Sequence, residues 1–185
     1  MSNPHVSRLK KHFPTYIYPT ISTCLIDHKG VGATILICCA IDTLASYAAS
    51  SPSHQGNKKK FINFVEKYFS NDYDPEQFYK MVRCGLVHSF NMEHTYTILC
   101  SKVTWAQELH LTTSKEFNYQ IILNPYTLFR DLKKAHKAFI LDLENDIELR
   151  KIFSKLYINS PILKQQTRII KAVKKVSHQN SILDN

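Results

Sequence analysis

The stretch from residue 31 to residue 50 constrains the fold of this chain more than any other. Placed on an α-helix, it is apolar nearly all round, and Asp42 is its one charged residue. A helix of this kind is buried inside a bundle rather than laid on its surface. The apolar run from Val31 to Ile41 is too short to span a bilayer, so we expect no membrane association. The carboxylate of Asp42 must find a partner there or raise its pKa.

Helix-start signals and apolar periodicity predict the other elements. Asp74-Pro75-Glu76-Gln77 offers an N-cap, a proline at the first helical position and a capping-box glutamine, and opens a helix that ends near Phe90. From about residue 95 to residue 123 the apolar residues alternate in twos, which is typical of short strands. We therefore expect a mainly α fold, a helical bundle with a small antiparallel β insert at about residues 95–123.

A chain of 185 residues is long enough for one domain with its own core. The patterns divide this domain into an N-terminal arm (1–29), a helical core (31–91 and 124–158), a β insert (92–123) and a basic C-terminal helix (161–178). In the arm, we expect Pro4, Pro14 and Pro19 to break any long helix. In the insert, we expect Trp105 to pack against the body.

The helix that follows Asp74 carries one arginine on an apolar face. On a wheel of about 100° per residue that starts at Phe78, Arg83 falls at about 140°, in an apolar arc that also holds Phe90. A guanidinium in such a place needs an anionic partner, because it cannot lose its proton. Asp42, on the buried helix, is the natural candidate.

His88 lies on another side of the same wheel. It falls at about 280°, so its side chain and that of Arg83 point apart on a straight helix. The two can share a site if the helix loosens at Gly85 or ends near His88. A second chain that supplies the other half across a two-fold axis would serve equally well.

The segment Arg83-Cys84-Gly85-Leu86-Val87-His88 fits the R-x4-6-H motif of the HEPN (higher eukaryotes and prokaryotes nucleotide-binding) superfamily, which the chain resembles. The resemblance covers about residues 31–91, with 124–157 as bundle partners. The family usually has Asn, Asp or His after the arginine, where this chain has Cys84. The resemblance implies a helical bundle, a homodimer, and a metal-independent endoribonuclease without cofactors from a toxin–antitoxin or defence system. RNA and an antitoxin or other protein would be its partners.

The resemblance also implies a role for each site residue. His88 would act as general base toward the 2′-hydroxyl of RNA, and Arg83 would stabilise the charge on the phosphorane. Asp42 would orient Arg83, and Tyr79, one turn earlier, would donate a further hydrogen bond. Two alternatives stay open: a non-catalytic HEPN-like module that binds RNA, a nucleotide or a protein, and a structural protein in which Arg83 and Asp42 form a buried pair.

Other motifs for chemistry are few. None of the four glycines lies in a dinucleotide-binding or P-loop arrangement, and the chain has no G-x-S-x-G, H-E-x-x-H or C-x-x-C segment. Cys84 and His88 have the i,i+4 spacing of a thiolate–imidazole pair or of half a zinc site. The residues that could complete such a zinc site are His94, Cys100 and His110.

The positive charge of the chain is concentrated toward its two ends. The net charge is +9, with seven Lys/Arg against two acids in residues 1–60 and five against one in residues 161–185. In the last segment four basic residues share one helical face, which predicts a nucleic-acid-binding surface or a solvated one: Lys164, Arg168, Lys171 and Lys175. Five cysteines, an odd number without regular spacing, indicate reduced thiols and a cytoplasmic protein.

Overall fold

A computed structural model describes residues 3–49, 56–92 and 94–158. This part of the chain is mainly helical, as the sequence predicts. The helices are α1 (Pro4–His12), α2 (Tyr18–Ile26), α3 (Gly30–Ala48), α4 (Asn57–Tyr68), α5 (Pro75–Gln77), α6 (Gly85–Ser89), α7 (Thr104–Glu108), α8 (Pro125–Asn145) and α9 (Ile147–Ile158). Two π-helical turns, Phe13–Ile17 and Phe78–Cys84, and a 3-10 turn, Lys115–Phe117, join some of them, and the strands are β1 (Tyr96–Ile98) and β2 (Ile121–Leu123).

Helix α3 lies at the centre and contacts α2, α4, α8 and α9. Its side chains of Ile37, Ile41 and Leu44 have no exposed surface. The helix is not enclosed on every side, however, because Val31 is 42% exposed and Cys39 is exposed as well. The all-round apolar pattern therefore describes a core helix with one open face, and Asp42 lies at that face.

Length and composition alone would also let α3 cross a membrane. Among the described helices it alone meets that test, and 50% of its most apolar window is buried inside the protein. The core helix of a soluble protein passes the same test, and the packing of α3 against α2, α4, α6, α8 and α9 is that of a core helix.

The N-terminal arm differs from the prediction. We expected its prolines to break any long helix, but the chain is helical from Pro4 to Ile26. Pro4 occupies a first-turn position, capped by the side chain of Asn3, where a proline costs little. Pro14 lies in the first turn of the π-helical segment and Pro19 in the first turn of α2. Pro14 has no backbone N–H to donate, and the wider π turn accommodates this loss inside a helical run, so the helix continues.

The β insert also differs, since β1 and β2 pair in parallel and not antiparallel, in the register Tyr96↔Ile121 to Ile98↔Leu123. The connection between them includes α7 and a 3-10 turn. It returns the chain to the end of the sheet where β1 begins, as a parallel pair requires. One antiparallel bridge, Thr113↔Ile121, lies beside this pair. Trp105 was also predicted wrongly: its side chain is 59% exposed, and its neighbour Ala106 is the buried residue.

Histidine 110 joins the insert to the helical body. Its Nδ1 accepts the backbone N–H of Asn124 at 3.0 Å, so the ring proton is on Nε2, which lies 2.8 Å from the hydroxyl of Tyr73. That hydroxyl in turn donates to Asp131 Oδ2 at 3.1 Å. Burial lowers the pKa of His110 to about 4, so the ring is neutral at pH 7 and this chain of hydrogen bonds is complete.

Candidate functional site

The helix that carries Arg83 begins as predicted and then departs from ideal α geometry. Asp74 caps it, with its Oδ1 accepting the N–H of Gln77 at 3.0 Å. From Phe78 to Cys84 the helix is π-helical, with hydrogen bonds that span five residues. The wheel of about 100° per residue does not apply to such a turn. Arg83 lies within this turn and His88 lies in α6 after it, and their side chains approach to 3.4 Å from Nη1 to Nε2.

The helix ends at Ser89, one residue after His88. Phe90 has φ 53 and ψ 27, a left-handed conformation that stops the helix. The N–H groups of Phe90 and Asn91 donate to the carbonyls of Leu86 and Gly85 at 3.3 and 3.2 Å. Gly85 has to be a glycine, because a Cβ there would collide with the carbonyl oxygen of Asn91. Of the two single-chain conditions for a shared site, the early end of the helix is met, whereas the loosened stretch lies before Gly85 and not at it.

Arg83 is the residue that brings the site together. Its Nε donates to Asp42 Oδ2 at 2.9 Å, and its Nη1 lies 3.4 Å from Nε2 of His88. Its Cζ lies 5.5 Å from the ring centroid of Tyr79, within reach of a cation–π contact. All four residues that the sequence predicts as catalytic thus converge within one chain.

The site is open to solvent on one side. The side chains of Arg83 and Asp42 are 17% and 25% exposed, and His88 is exposed. The predicted ion pair between Arg83 and Asp42 is confirmed, but it is only partly buried. A ligand can therefore reach the guanidinium and the imidazole without unfolding the helices around them.

The ion pair determines the charges at the site. Burial raises the pKa of the Asp42 carboxyl, and the hydrogen bond from Arg83 offsets part of that rise. Burial lowers the pKa of Arg83, but its bonds to Asp42 and Cys84 outweigh this effect and raise it overall. Arg83 is thus a permanent cation. Because a guanidinium only donates, the contact with His88 requires an unprotonated Nε2 and a proton on Nδ1.

Tyr79 and Cys84 complete the surroundings of the guanidinium. The thiol of Cys84 lies 3.9 Å from Nη1 of Arg83, and it also neighbours Tyr79. Burial and the neighbouring thiol raise the pKa of Tyr79, so its hydroxyl keeps its proton at neutral pH. Phe61, a contact that the sequence did not indicate, packs edge-on against the Tyr79 ring with centroids 5.3 Å apart.

The zinc alternative finds no support in the described part of the chain. No three His, Cys, Asp or Glu side chains there lie close enough together to hold a metal ion. Both ring nitrogens of His110, one of the proposed ligands, are already engaged by Tyr73 and Asn124. The thiol of Cys84 faces Arg83 and Tyr79.

The predicted nucleic-acid-binding face lies outside the described residues, along with the basic helix 161–178 that would carry Lys164, Arg168, Lys171 and Lys175.

Comparisons with protein-family models, with curated proteins and with solved structures return no match. The functional proposal for this chain therefore rests on the geometry around Arg83.

Proposed function

We propose that this chain is a metal-independent endoribonuclease of HEPN type, a toxin or defence component of the cytoplasm. The observation that carries the proposal is the contact between Arg83 and His88, 3.4 Å from Nη1 to Nε2, with Asp42 bound to the other edge of the guanidinium. A fixed cation and an imidazole lone pair, side by side and open to solvent, suit the cleavage of a phosphodiester whose own 2′-hydroxyl is the nucleophile.

In the proposed reaction, Nε2 of His88 removes the proton of the 2′-hydroxyl as its oxygen attacks the adjacent phosphorus. The O2′–P bond forms and the P–O5′ bond breaks, and the leaving oxygen takes a proton from solvent. The products are a 2′,3′-cyclic phosphate and a 5′-hydroxyl end. This step needs the lone pair of Nε2. In the resting site, that lone pair accepts the hydrogen bond from Nη1 of Arg83.

Arg83 would exchange partners when the substrate binds. Its Nε stays on Asp42, which holds the plane of the guanidinium. Its Nη groups turn from His88 to the phosphate oxygens, because a charge-assisted bond to an anion is stronger than one to a neutral imidazole. This exchange frees Nε2 for its role as base. Tyr79, kept in its protonated form, can donate to a further phosphate oxygen.

A homodimer and a protein partner such as an antitoxin belong to the same proposal. The open face of α3 carries the exposed Val31 and Cys39 and leads to Asp42. Beside it, an apolar groove of about 160 Å³ is lined by residues that include Phe13, Ile17 and Cys39. Apolar surface next to a charged site suits a second protein surface, and a two-fold axis there would bring two sites together.

The alternative is a HEPN-like module that binds RNA, a nucleotide or a protein without cleaving anything. Cys84 favours it, because this position is usually polar in the family and here presents a thiol to the guanidinium. This alternative predicts binding that weakens with salt where phosphates are involved, and no new RNA ends.

The nature of the product ends tests the proposal. We expect RNA incubated with the protein in EDTA to yield 2′,3′-cyclic phosphate and 5′-hydroxyl ends. A substrate with a 2′-O-methyl group at each cleaved position should resist, because the nucleophile is blocked. Cleavage that leaves a 5′-phosphate, or that ignores the 2′-O-methyl group, would contradict the mechanism.

A further inference from the structure

We propose that Phe90 is a stacking platform that holds an RNA base beside the Arg83–His88 pair. This inference rests on the proposed function, which it extends from the reacting phosphate to the neighbouring base. It concerns a residue that the helical wheel placed in the apolar arc, whereas the structure exposes it.

Phe90 combines two unfavourable features. Its side chain is 75% exposed, the highest value among the large hydrophobic residues of the described segments. Its φ of 53 places it in the left-handed region, where a bulky side chain is strained and where glycine or asparagine would fit better. A residue that costs stability both by exposure and by conformation points to a role outside the fold.

The strained conformation fixes the backbone that carries the ring. The carbonyl oxygen of Asn91 closes over Gly85, and the side chain of Ser89 donates to the Gly85 carbonyl at 2.8 Å. The backbone of Phe90 is thereby held at the end of α6, two residues beyond His88. Two residues span at most about 7 Å of backbone, so the two side chains start from Cα atoms that lie within the reach of one nucleotide.

The surroundings of the ring favour a nucleobase over an apolar protein surface. Its neighbours His88, Ser89 and Asn91 are polar and exposed. A protein that covered the ring would also cover the charged site, whereas a base can stack on it while its own phosphate meets Arg83. Stacking on an aromatic ring tolerates every base, because each base has a π face.

The chain offers a matched control for this idea. Tyr119 is 70% exposed and also has a left-handed φ, 59, but it belongs to the β insert, in the turn that precedes β2. A change of either residue to glycine removes an exposed ring and relieves the same strain. Only the change at Phe90 should weaken the binding of RNA.

The test measures binding of a single-stranded oligoribonucleotide to the His88→Ala protein, so that cleavage does not interfere. Adding Phe90→Gly should weaken binding by about tenfold, in keeping with the loss of one stacked base. Adding Tyr119→Gly should leave it unchanged. Phe90→Trp, made with Trp105→Phe, should bind like the parent, and its fluorescence should be quenched by the RNA.

Three results would overturn the inference. They are equal binding by the Phe90→Gly and Tyr119→Gly proteins, absence of RNA binding by the parent, and a change of oligomeric state in Phe90→Gly with binding intact. The last result would assign the ring to contact with a second copy. Binding that depends on Phe90 in a protein whose wild-type form never cleaves RNA would refute the ribonuclease and support the stacking contact.

Discussion

Nη1 of Arg83 lies 3.4 Å from Nε2 of His88, although a straight α-helix would turn these two residues apart. Arg83 lies in the π turn that ends at Cys84, and His88 lies in α6, which ends one residue later at Ser89. Since a guanidinium only donates, the contact also sets the tautomer of the imidazole. The contact thus places a cation beside a lone pair.

The Arg83–Asp42 pair should show strong coupling in a double-mutant cycle. Arg83→Met and Asp42→Leu should each lower the free energy of unfolding by about 2 kcal/mol, because each leaves one partly buried charge without its partner. The double variant should recover most of that loss, because no charge remains. Urea denaturation of the four proteins measures this. Additive losses would mean that the two residues act independently.

Gly85→Ala should disrupt the end of the helix. The added methyl group collides with the carbonyl oxygen of Asn91, so we expect a loss of about 2 kcal/mol in the free energy of unfolding. The rate of RNA cleavage should fall too, because the end of helix α6, which positions His88, must move. Gly32→Ala is the control: its Cβ meets only Cys24 Sγ at 3.9 Å, and a helical alanine should leave stability equal or higher. Equal effects of the two changes would contradict the geometry around Gly85.

Tyr79→Phe should separate binding from chemistry. The ring would stay under Arg83 and against Phe61, and only the hydroxyl would be lost. We expect kcat for RNA cleavage to fall about tenfold while KM changes little, as for a donor that acts chiefly on the transition state. A change confined to KM would show that the hydroxyl only binds the substrate.

His136 should make the protein less stable in mild acid. It is 5% exposed and bonded through Nδ1 to the Tyr18 hydroxyl at 2.7 Å. Burial lowers its pKa from 6.5 to about 4. Between these two values the unfolded chain binds more protons than the folded one, so the free energy of unfolding falls as the pH falls through this window.

Urea denaturation at pH 7, 5.5 and 4.5 measures this slope. His136→Phe should retain the aromatic stack on Phe13, whose ring centroid lies 4.6 Å from that of His136. The variant should lose less stability between pH 7 and pH 4.5 than the wild type. The pH dependence that remains in the variant includes the contribution of His110, because burial also lowers the pKa of His110 to about 4. An identical slope in both proteins would rule out the buried neutral state of His136.

Much of the fold could be predicted because it depends on periodicity and caps. The core helix, the start at Asp74 and the partnership of Asp42 with Arg83 all follow from burial and charge. The parallel direction of β1 and β2 could not be predicted, because alternation reports which face a residue takes but not which way a strand runs. The helix through Pro14 escaped prediction for a related reason, since a π turn leaves no periodic signal in so short a segment.

The site was predictable as a set of residues but not as a geometry. The wheel placed Arg83 on the face that meets Asp42, although Arg83 itself lies in the π turn. It failed for His88 and Phe90, whose positions depend on that turn and on the left-handed end of the helix. Gly85 was the one signal in the sequence that pointed to a change in this helix, and the structure uses it at the helix end.

The rate of RNA cleavage by the His88→Ala protein in EDTA tests the central claim most directly. His28→Asn is the control, since His28 is exposed, lies between α2 and α3, and has a left-handed φ that asparagine tolerates. We predict that the wild type and His28→Asn cleave RNA at the same rate. His88→Ala should be folded and at least about a hundredfold slower, as expected for the loss of a general base. Cleavage by His88→Ala at the wild-type rate, or no cleavage by the wild type, would contradict this account.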